Sequence, residues 1–304
     1  MDILEKFEKG KESRTYQRID SEYATNIFLG YNDDGQMSMV ITEYGNIEIV
    51  KSSKIINVSL TRREDKRLAL TFDLLNESYK SLYLIFCKDI IAICEKVNCD
   101  MAITTAIRRW KYWKEMFGKK NNNILSNEEI KGLIGELIQL EEFFMKKWDE
   151  GKAIASWMGP LLGHKDFEIE NTWYEVKCTS ENALQVSISS LEQLDSELDG
   201  HLVIIRLENS TITNELAFNL NELVFKIAQK ITDPENLESY MTKLNNVGYV
   251  YNKDYDNFNY IYKGRRTYAV REGFPRITRK DVSSSIGNVK YTIMLDGIVG
   301  YMEE

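Results

Sequence analysis

The chain of 304 residues carries 39 Lys and Arg against 47 Asp and Glu, a formal net charge of −8, with 43% hydrophobic and 28% charged residues, the proportions of a soluble globular protein. That length leads us to expect roughly two domains, and the acidity argues against a protein that coats nucleic acid indiscriminately. No segment has the long uncharged run of a membrane helix and the polar start lacks a signal-peptide core, so no membrane partner and a cytoplasmic location are expected.

Residues 16–86 alternate in the manner of strands, most clearly at 37–42, 45–50 and 67–72, with a turn at Asn32-Asp33-Asp34-Gly35. Helical sequence follows over about 82–118, with Ile90, Ile91, Ile93, Cys94 and Val97 as its apolar face. These segments predict a small β-rich N-terminal module over 1–118, a linker at 119–123 and a second domain over 119–304. Ser126 followed by Glu129 forms a capping box for the next helix, in which Leu133, Leu137, Leu140 and Phe144 make one apolar stripe. Glu136 falls at the edge of that stripe beside Gly132 and Gly135, and Glu142 on the opposite side. Gly159-Pro160 and Gly163 shape a turn. Strands are then predicted at 167–170, 172–178 and 184–188, a short helix at 191–195 and an apolar strand at 202–207. This αβββαβ order implies an α+β or α/β fold, a mixed sheet flanked by helices. Helices at 214–229 and 234–246 and strands near 260–262, 268–270 and 289–295 complete the chain, with a β-hairpin packing the tyrosines of 251–262.

Cys87, Cys94, Cys99 and Cys178 show no paired spacing, and with only His164 and His201 to join them they read as buried free thiols and not as a zinc site. His164 reads as an incidental loop residue.

The chemistry concentrates between 157 and 195. In Thr172-Trp173-Tyr174-Glu175-Val176-Lys177-Cys178, strand alternation places Glu175 and Lys177 on one face and Tyr174, Val176 and Cys178 on the other. If the Val176 face is core, two charges on the opposite face call for a partner, and a divalent cation held by oxygen ligands is one. The turn at 170–172 returns the preceding strand and brings Asp166 towards the Glu175 end. Two such carboxylates can hold one Mg²⁺, which polarises a phosphodiester oxygen and activates a water, while Lys177 stabilises the developing charge. Glu136 can add a further carboxylate from its helix. Glu175-Val176-Lys177 alone is a weak signal, since such triplets also occur on surface strands.

Gly-Glu-Leu at 135–137, Trp157-Met158-Gly159-Pro160, Asp166-Phe167, Tyr174-Glu175-Val176-Lys177 and Ser189-Ser190-Leu191-Glu192-Gln193-Leu194-Asp195 together resemble the PD-(D/E)xK nuclease superfamily, and within it bacterial proteins associated with restriction and phage-defence loci. Residues 102–117 and 274–277 share the resemblance. Lys165 stands where the superfamily's name has proline. The resemblance implies a restriction-endonuclease-like core, with Asp166 and Glu175 as metal ligands, Lys177 as the catalytic lysine, Glu136 as a helix-borne acid and metal ligand, and Gln193 as an accessory residue. It implies Mg²⁺, with Mn²⁺ able to replace it, and DNA as substrate. A methyltransferase or ATPase of the same defence system, or a second copy of the chain, are the partners it suggests. Basic clusters offer candidate DNA contacts at Arg108, Arg109, Lys111, Arg265 and Arg266, although Trp110 and Trp113 more simply anchor an amphipathic helix. The rival readings are an adaptor that binds DNA without cutting it, and a site that processes RNA or a nucleotide.

Overall fold

The computed structural model describes residues 3–13, 15–20, 24–45, 49–118, 124–161 and 163–303. The chain divides into two compact units, Met1–Lys120 and Asn121–Glu304.

The first unit is α1 (Ile3–Ser13), a five-stranded antiparallel sheet in the order β1-β2-β3-β5-β4, and two helices, α2 (Lys80–Cys94) and α3 (Ala102–Gly118). Its strands are β1 (Gln17–Arg18), β2 (Asn26–Tyr31), β3 (Met37–Glu43), β4 (Ile56–Arg62) and β5 (Leu68–Leu74). The turn between β2 and β3 uses Gly35 at φ 75°, a left-handed conformation that costs glycine little. Edge-on aromatic packing of Phe72, Phe86, Trp110 and Trp113 fills the core. Into it Asp89 is buried, accepting two hydrogen bonds of 2.7 Å from Arg109 and one of 2.7 Å from the Trp113 indole. The helical sequence expected over 82–118 forms two helices, α2 and α3, separated at 95–101, where Cys99–Met101 makes a 3₁₀ turn. Of the strand expected at 45–50, Gly45, Ile49 and Val50 are not in a strand and 46–48 lie outside the described residues, as does the linker at 119–123. Cys99 is exposed, contrary to expectation, because it lies on that break and not on either helix's apolar face.

The second unit opens with α4 (Asn127–Gln139), whose N-terminus carries the full Ser126/Glu129 capping box. The helix continues through a π-helical stretch, Leu140–Phe144, and a last turn, α5 (Met145–Lys147). After α6 (Glu150–Ser156) comes a four-stranded mixed sheet in the order β10-β9-β7-β6, from β6 (Phe167–Ile169), β7 (Thr172–Thr179), β9 (Gly200–Ser210) and β10 (Asn259–Val270). β7 pairs antiparallel with β6 and parallel with β9, so it is a central strand covered on both sides. Phe144 stacks on Phe167 at 4.5 Å and meets Tyr174 edge-on, fixing the helix against the β6–β7 hairpin. α7 (Leu220–Lys230) and α8 (Pro234–Asn246) complete the helices.

Four expectations are corrected here. Residues 184–188 do form a strand, β8 (Gln185–Ile188), but it pairs with β11 (Tyr291–Met294) in a separate two-stranded ribbon. Its buried residues, Val186 and Ile188, pack with Trp173, Leu202, Ile204 and Ile293, so the Glu175 face of β7 also has a core neighbour. The helix at 191–195 is only a 3₁₀ turn, Leu191–Gln193. Residues 260–262 and 268–270 belong to one long strand, β10, whose charged middle interrupts the apolar pattern. The tyrosines of 251–258 sit around a 3₁₀ turn, Lys253–Asn257, with Tyr255 buried and stacked on Tyr249, and not in a hairpin. Among the described residues no helix is long and apolar enough to cross a membrane.

Candidate active site

β7 carries Glu175 and Lys177 two residues apart, and their side chains meet: Lys177 Nζ lies 2.8 Å from Glu175 Oε1, with Glu175 only 1% exposed. Register brings the third group. Because Phe167 pairs with Tyr174, Asp166 enters β6 opposite the Glu175 end of β7, and its Oδ2 accepts a 2.7 Å hydrogen bond from the Val176 N–H. The Asp166 backbone is held from the other side, its carbonyl accepting from the N–H groups of Met158 (2.8 Å) and Gly159 (3.1 Å). Glu136 arrives from α4, where Oε2 accepts a 2.6 Å hydrogen bond from the Trp157 indole. A Cβ built on Gly159 would lie 2.8 Å from Glu136 Oε2 and 3.4 Å from Asp166 Oδ1. Glycine therefore keeps open the space that those two carboxylates share.

Gly135, next to Glu136, is required for a different reason. A Cβ there would fall 2.2 Å from Cys178 Sγ and 3.4 Å from Val176 Cγ1, so α4 reaches β7 closely enough to deliver Glu136 only because position 135 has no side chain.

Electrostatics follow from this crowding. Burial pushes the Glu175 carboxyl up to about 8, with the Asp166 charge adding to the rise and Lys177 opposing it. Glu136 is raised well above the usual carboxylate range by burial first and by Asp166 second, against the Trp157 hydrogen bond. Asp166 is raised by burial, against the Val176 N–H and two lysines. Three acids that each resist ionisation beside one paired lysine form a site short of positive charge.

Two lysines that the sequence reading left without a role brace the surroundings. Lys165 is buried, with Nζ 4.0 Å from the Trp173 ring centre and donating to the carbonyls of Glu192 and, at 3.1 Å, Asp195. Arg276 donates to the carbonyls of Leu194 (2.7 Å) and Ser196, so the turn carrying Gln193 is clamped from two directions. Lys243 of α8 is buried against the carbonyls of Ile154, Ala155 and Trp157, a cation at the C-terminal end of α6 where the helix dipole favours it. The sequence signal for Lys165 was its place beside Asp166; for Lys243 there was none, since a lysine on an amphipathic helix ordinarily faces water.

The structure thus brings Asp166, Glu175, Lys177 and Glu136 together. Gln193 Oε1 accepts from the Ser189 N–H at 2.7 Å, a contact within its own turn. His164 is exposed. Of the candidate DNA contacts, Arg108 and Lys111 are exposed on α3 and Arg266 on β10. Arg265 is half-buried over the Phe143 ring at 4.4 Å. Arg109 is corrected: it is 3% exposed and spent on its bidentate pair with Asp89, so it does not reach a phosphate.

Hard oxygen donors are the set that Mg²⁺ and Mn²⁺ prefer, and the Gly159 opening between Glu136 and Asp166 has the character of a cation cradle. Among the described residues no three His, Cys, Asp or Glu side chains converge into a ready-made cage. The chemistry of the donors fits a divalent cation: Glu136 and Asp166, which face each other across the Gly159 opening, would hold one, with Glu175 on the neighbouring strand as the further carboxylate.

No curated protein and no solved structure matches the chain. A family model does match, over residues 3–296, and its description reads "Putative PD-(D/E)XK family member" (DUF4420). With nearly its whole length covered, and with an Asp-…-Glu-x-Lys arrangement assembled on a β-hairpin beside a helix-borne acid, the chain belongs to the DUF4420 family.

Proposed function

We propose that the chain is a divalent-metal-dependent endonuclease that hydrolyses phosphodiester bonds in DNA, acting in restriction or phage defence. The observation that carries this reading is the Glu175–Lys177 pair on β7 with Asp166 opposite it on the β6 side, and Glu136 facing Asp166 across the Gly159 opening. Family membership supports it. A divalent cation, when bound, supplies Lewis-acid polarisation of the phosphodiester and a more acidic water. The chain's own residues do the rest. Asp166 and Glu175 give oxygen donors held in place by β-sheet register, and the Val176 N–H fixes the Asp166 carboxylate. Lys177, paired with Glu175 at 2.8 Å, is the cation at hand to offset charge that builds on the phosphate oxygens. Trp157 orients Glu136, and Lys243, holding the Trp157 carbonyl, keeps that indole in place.

The test is cleavage of unmodified phage and plasmid DNA with Mg²⁺ or Mn²⁺ and with EDTA. Asp166→Ala, Glu175→Ala and Lys177→Ala should each lose at least ~100-fold in rate while keeping the native circular dichroism spectrum, and Glu136→Ala should lose less. Full activity of the Asp166 variant would remove the metal assignment. A second reading, a DNA-binding adaptor without cleavage, has one observation in its favour: each acid already has an internal donor, in Trp157, Val176 and Lys177. Under it, folded protein binds DNA but cuts none with either metal.

A further inference from the structure

The first unit holds a basic groove that the active site does not use. It is a cavity of about 200 Å³ lined by Ile49, Val50, Lys51, Ile107, Trp110, Lys111 and Lys114. Three of these seven residues are lysines and none is acidic. Arg108 is exposed three positions before Lys111 on α3, and Lys114 follows three positions after, so the three cations make one stripe on the helix surface. None of Lys51, Arg108, Lys111 or Lys114 has a carboxylate within ion-pair distance among the described residues. Arg109, the one cation of that run that does, has been turned inward onto Asp89. The groove is built on a fixed frame, since the Trp110 indole donates to the Lys51 carbonyl at 2.9 Å and ties the segment bearing Lys51 to the helix bearing the other two lysines.

Charge is distributed unevenly along the sequence. Residues 1–120 hold 20 Lys and Arg against 18 Asp and Glu, whereas residues 121–304 hold 19 against 29. The acidity of the chain belongs to the unit with the carboxylate site, and the first unit is the one whose field attracts a polyanion. From Arg108 to Lys114 the helix rises about 9 Å, the span of roughly three phosphates along one strand of a duplex. Four cations without an ion-pair partner among the described residues, spaced in this way and beside apolar side chains, are complementary to a sugar–phosphate backbone.

We propose that Lys51, Arg108, Lys111 and Lys114 form a docking surface for the phosphate backbone of duplex DNA, contacting it without regard to sequence. The inference rests on the nuclease reading for its choice of DNA over other polyanions.

Binding can be measured apart from cleavage. The full chain is titrated with a fluorescent random-sequence duplex in EDTA, over 50 to 200 mM salt. Four neutralised phosphates give a slope of log K against log salt of about −3.6, hence a roughly 150-fold fall in affinity over that range. Lys51→Ala, Lys111→Ala and Lys114→Ala should each shift the slope by about 1, and the triple variant should lose most of the binding, while Lys290→Ala, on the second unit, changes neither. Lys51 and Lys111 are exposed and Lys114 is half-buried, and none has an ion-pair partner among the described residues, so the variants should keep a melting temperature close to that of the wild type. An unchanged slope in the triple variant overturns the proposal, as does absence of duplex binding by the native chain. Equal binding of polyglutamate, or tighter binding of single-stranded DNA or duplex RNA, overturns the assignment to duplex DNA. Failure of the nuclease reading would leave a different signature: groove-dependent binding in EDTA with no cutting when metal is added.

Discussion

Glu175 shows how a single side chain records what the fold does to charge. Its folded carboxyl titrates near 8 against an ordinary value of 4.5, because burial disfavours the anion. A raised pKa means the folded state holds its proton where the unfolded state has lost it. The associated stability is therefore complete below about pH 4.5 and is lost as pH rises towards 8. Metal-free protein should accordingly melt at progressively lower temperature from pH 5 to pH 8, and Glu175→Gln should flatten that slope, a result read directly by differential scanning fluorimetry. An unchanged slope in the glutamine variant would mean that Glu175 ionises at an ordinary pH in the fold. At this scale the sequence was informative where chemistry forces a pattern. Alternation alone placed Glu175 beside Lys177, and the turn at 170–172 placed Asp166. It was silent on Trp157 as the donor to Glu136 and on the lysines that grip backbone carbonyls, since neither contact has a periodicity.

The elements that deliver these residues depend on close approach. α4 meets β7 at Gly135, where the Cys178 thiol occupies the volume a Cβ would need. Gly135→Ala should therefore destabilise the protein by about 1–3 kcal/mol through overpacking and should also weaken metal-dependent activity, because the shift is carried to Glu136 one residue on. Cys178→Ala removes the opposing sulfur, so the double variant should recover stability relative to Gly135→Ala, a coupling measured by urea titration of all four proteins. Purely additive losses would show that the helix and strand do not touch as described. Helix starts were legible in part: the Ser126/Glu129 box starts α4 and α8 begins at the predicted Pro234, but α7, expected from 214, begins at Leu220 after its Asn219 cap. Strand membership was less so. β8 has the same alternation whether it joins the main sheet or a separate ribbon, and only its partner, more than a hundred residues later, decides. β10 was read as two strands because Lys263, Arg265 and Arg266 interrupt its apolar pattern while its backbone ladder continues through a bulge.

For the whole molecule, the two units differ in what they should answer to. The acids belong to residues 121–304, and Trp148, Trp157 and Trp173 belong there too, while Trp110 and Trp113 report on residues 1–120. Any ligand that binds only the folded state raises stability by about 2.7 kcal/mol at a hundred times its dissociation constant, and it does so in the unit that binds it. Calorimetry with and without Mn²⁺ should thus show a metal-dependent rise in the unfolding transition of the second unit. Trp110→Phe and Trp157→Phe variants, followed by fluorescence, identify which transition is which. The rise should vanish in Asp166→Ala, because loss of that carboxylate leaves Glu136 with no neighbour across the Gly159 opening. Were the metal to raise the transition of the first unit instead, or to act equally on the alanine variant, the cation would be binding somewhere other than these carboxylates, and the charge imbalance at Glu175 would need another partner.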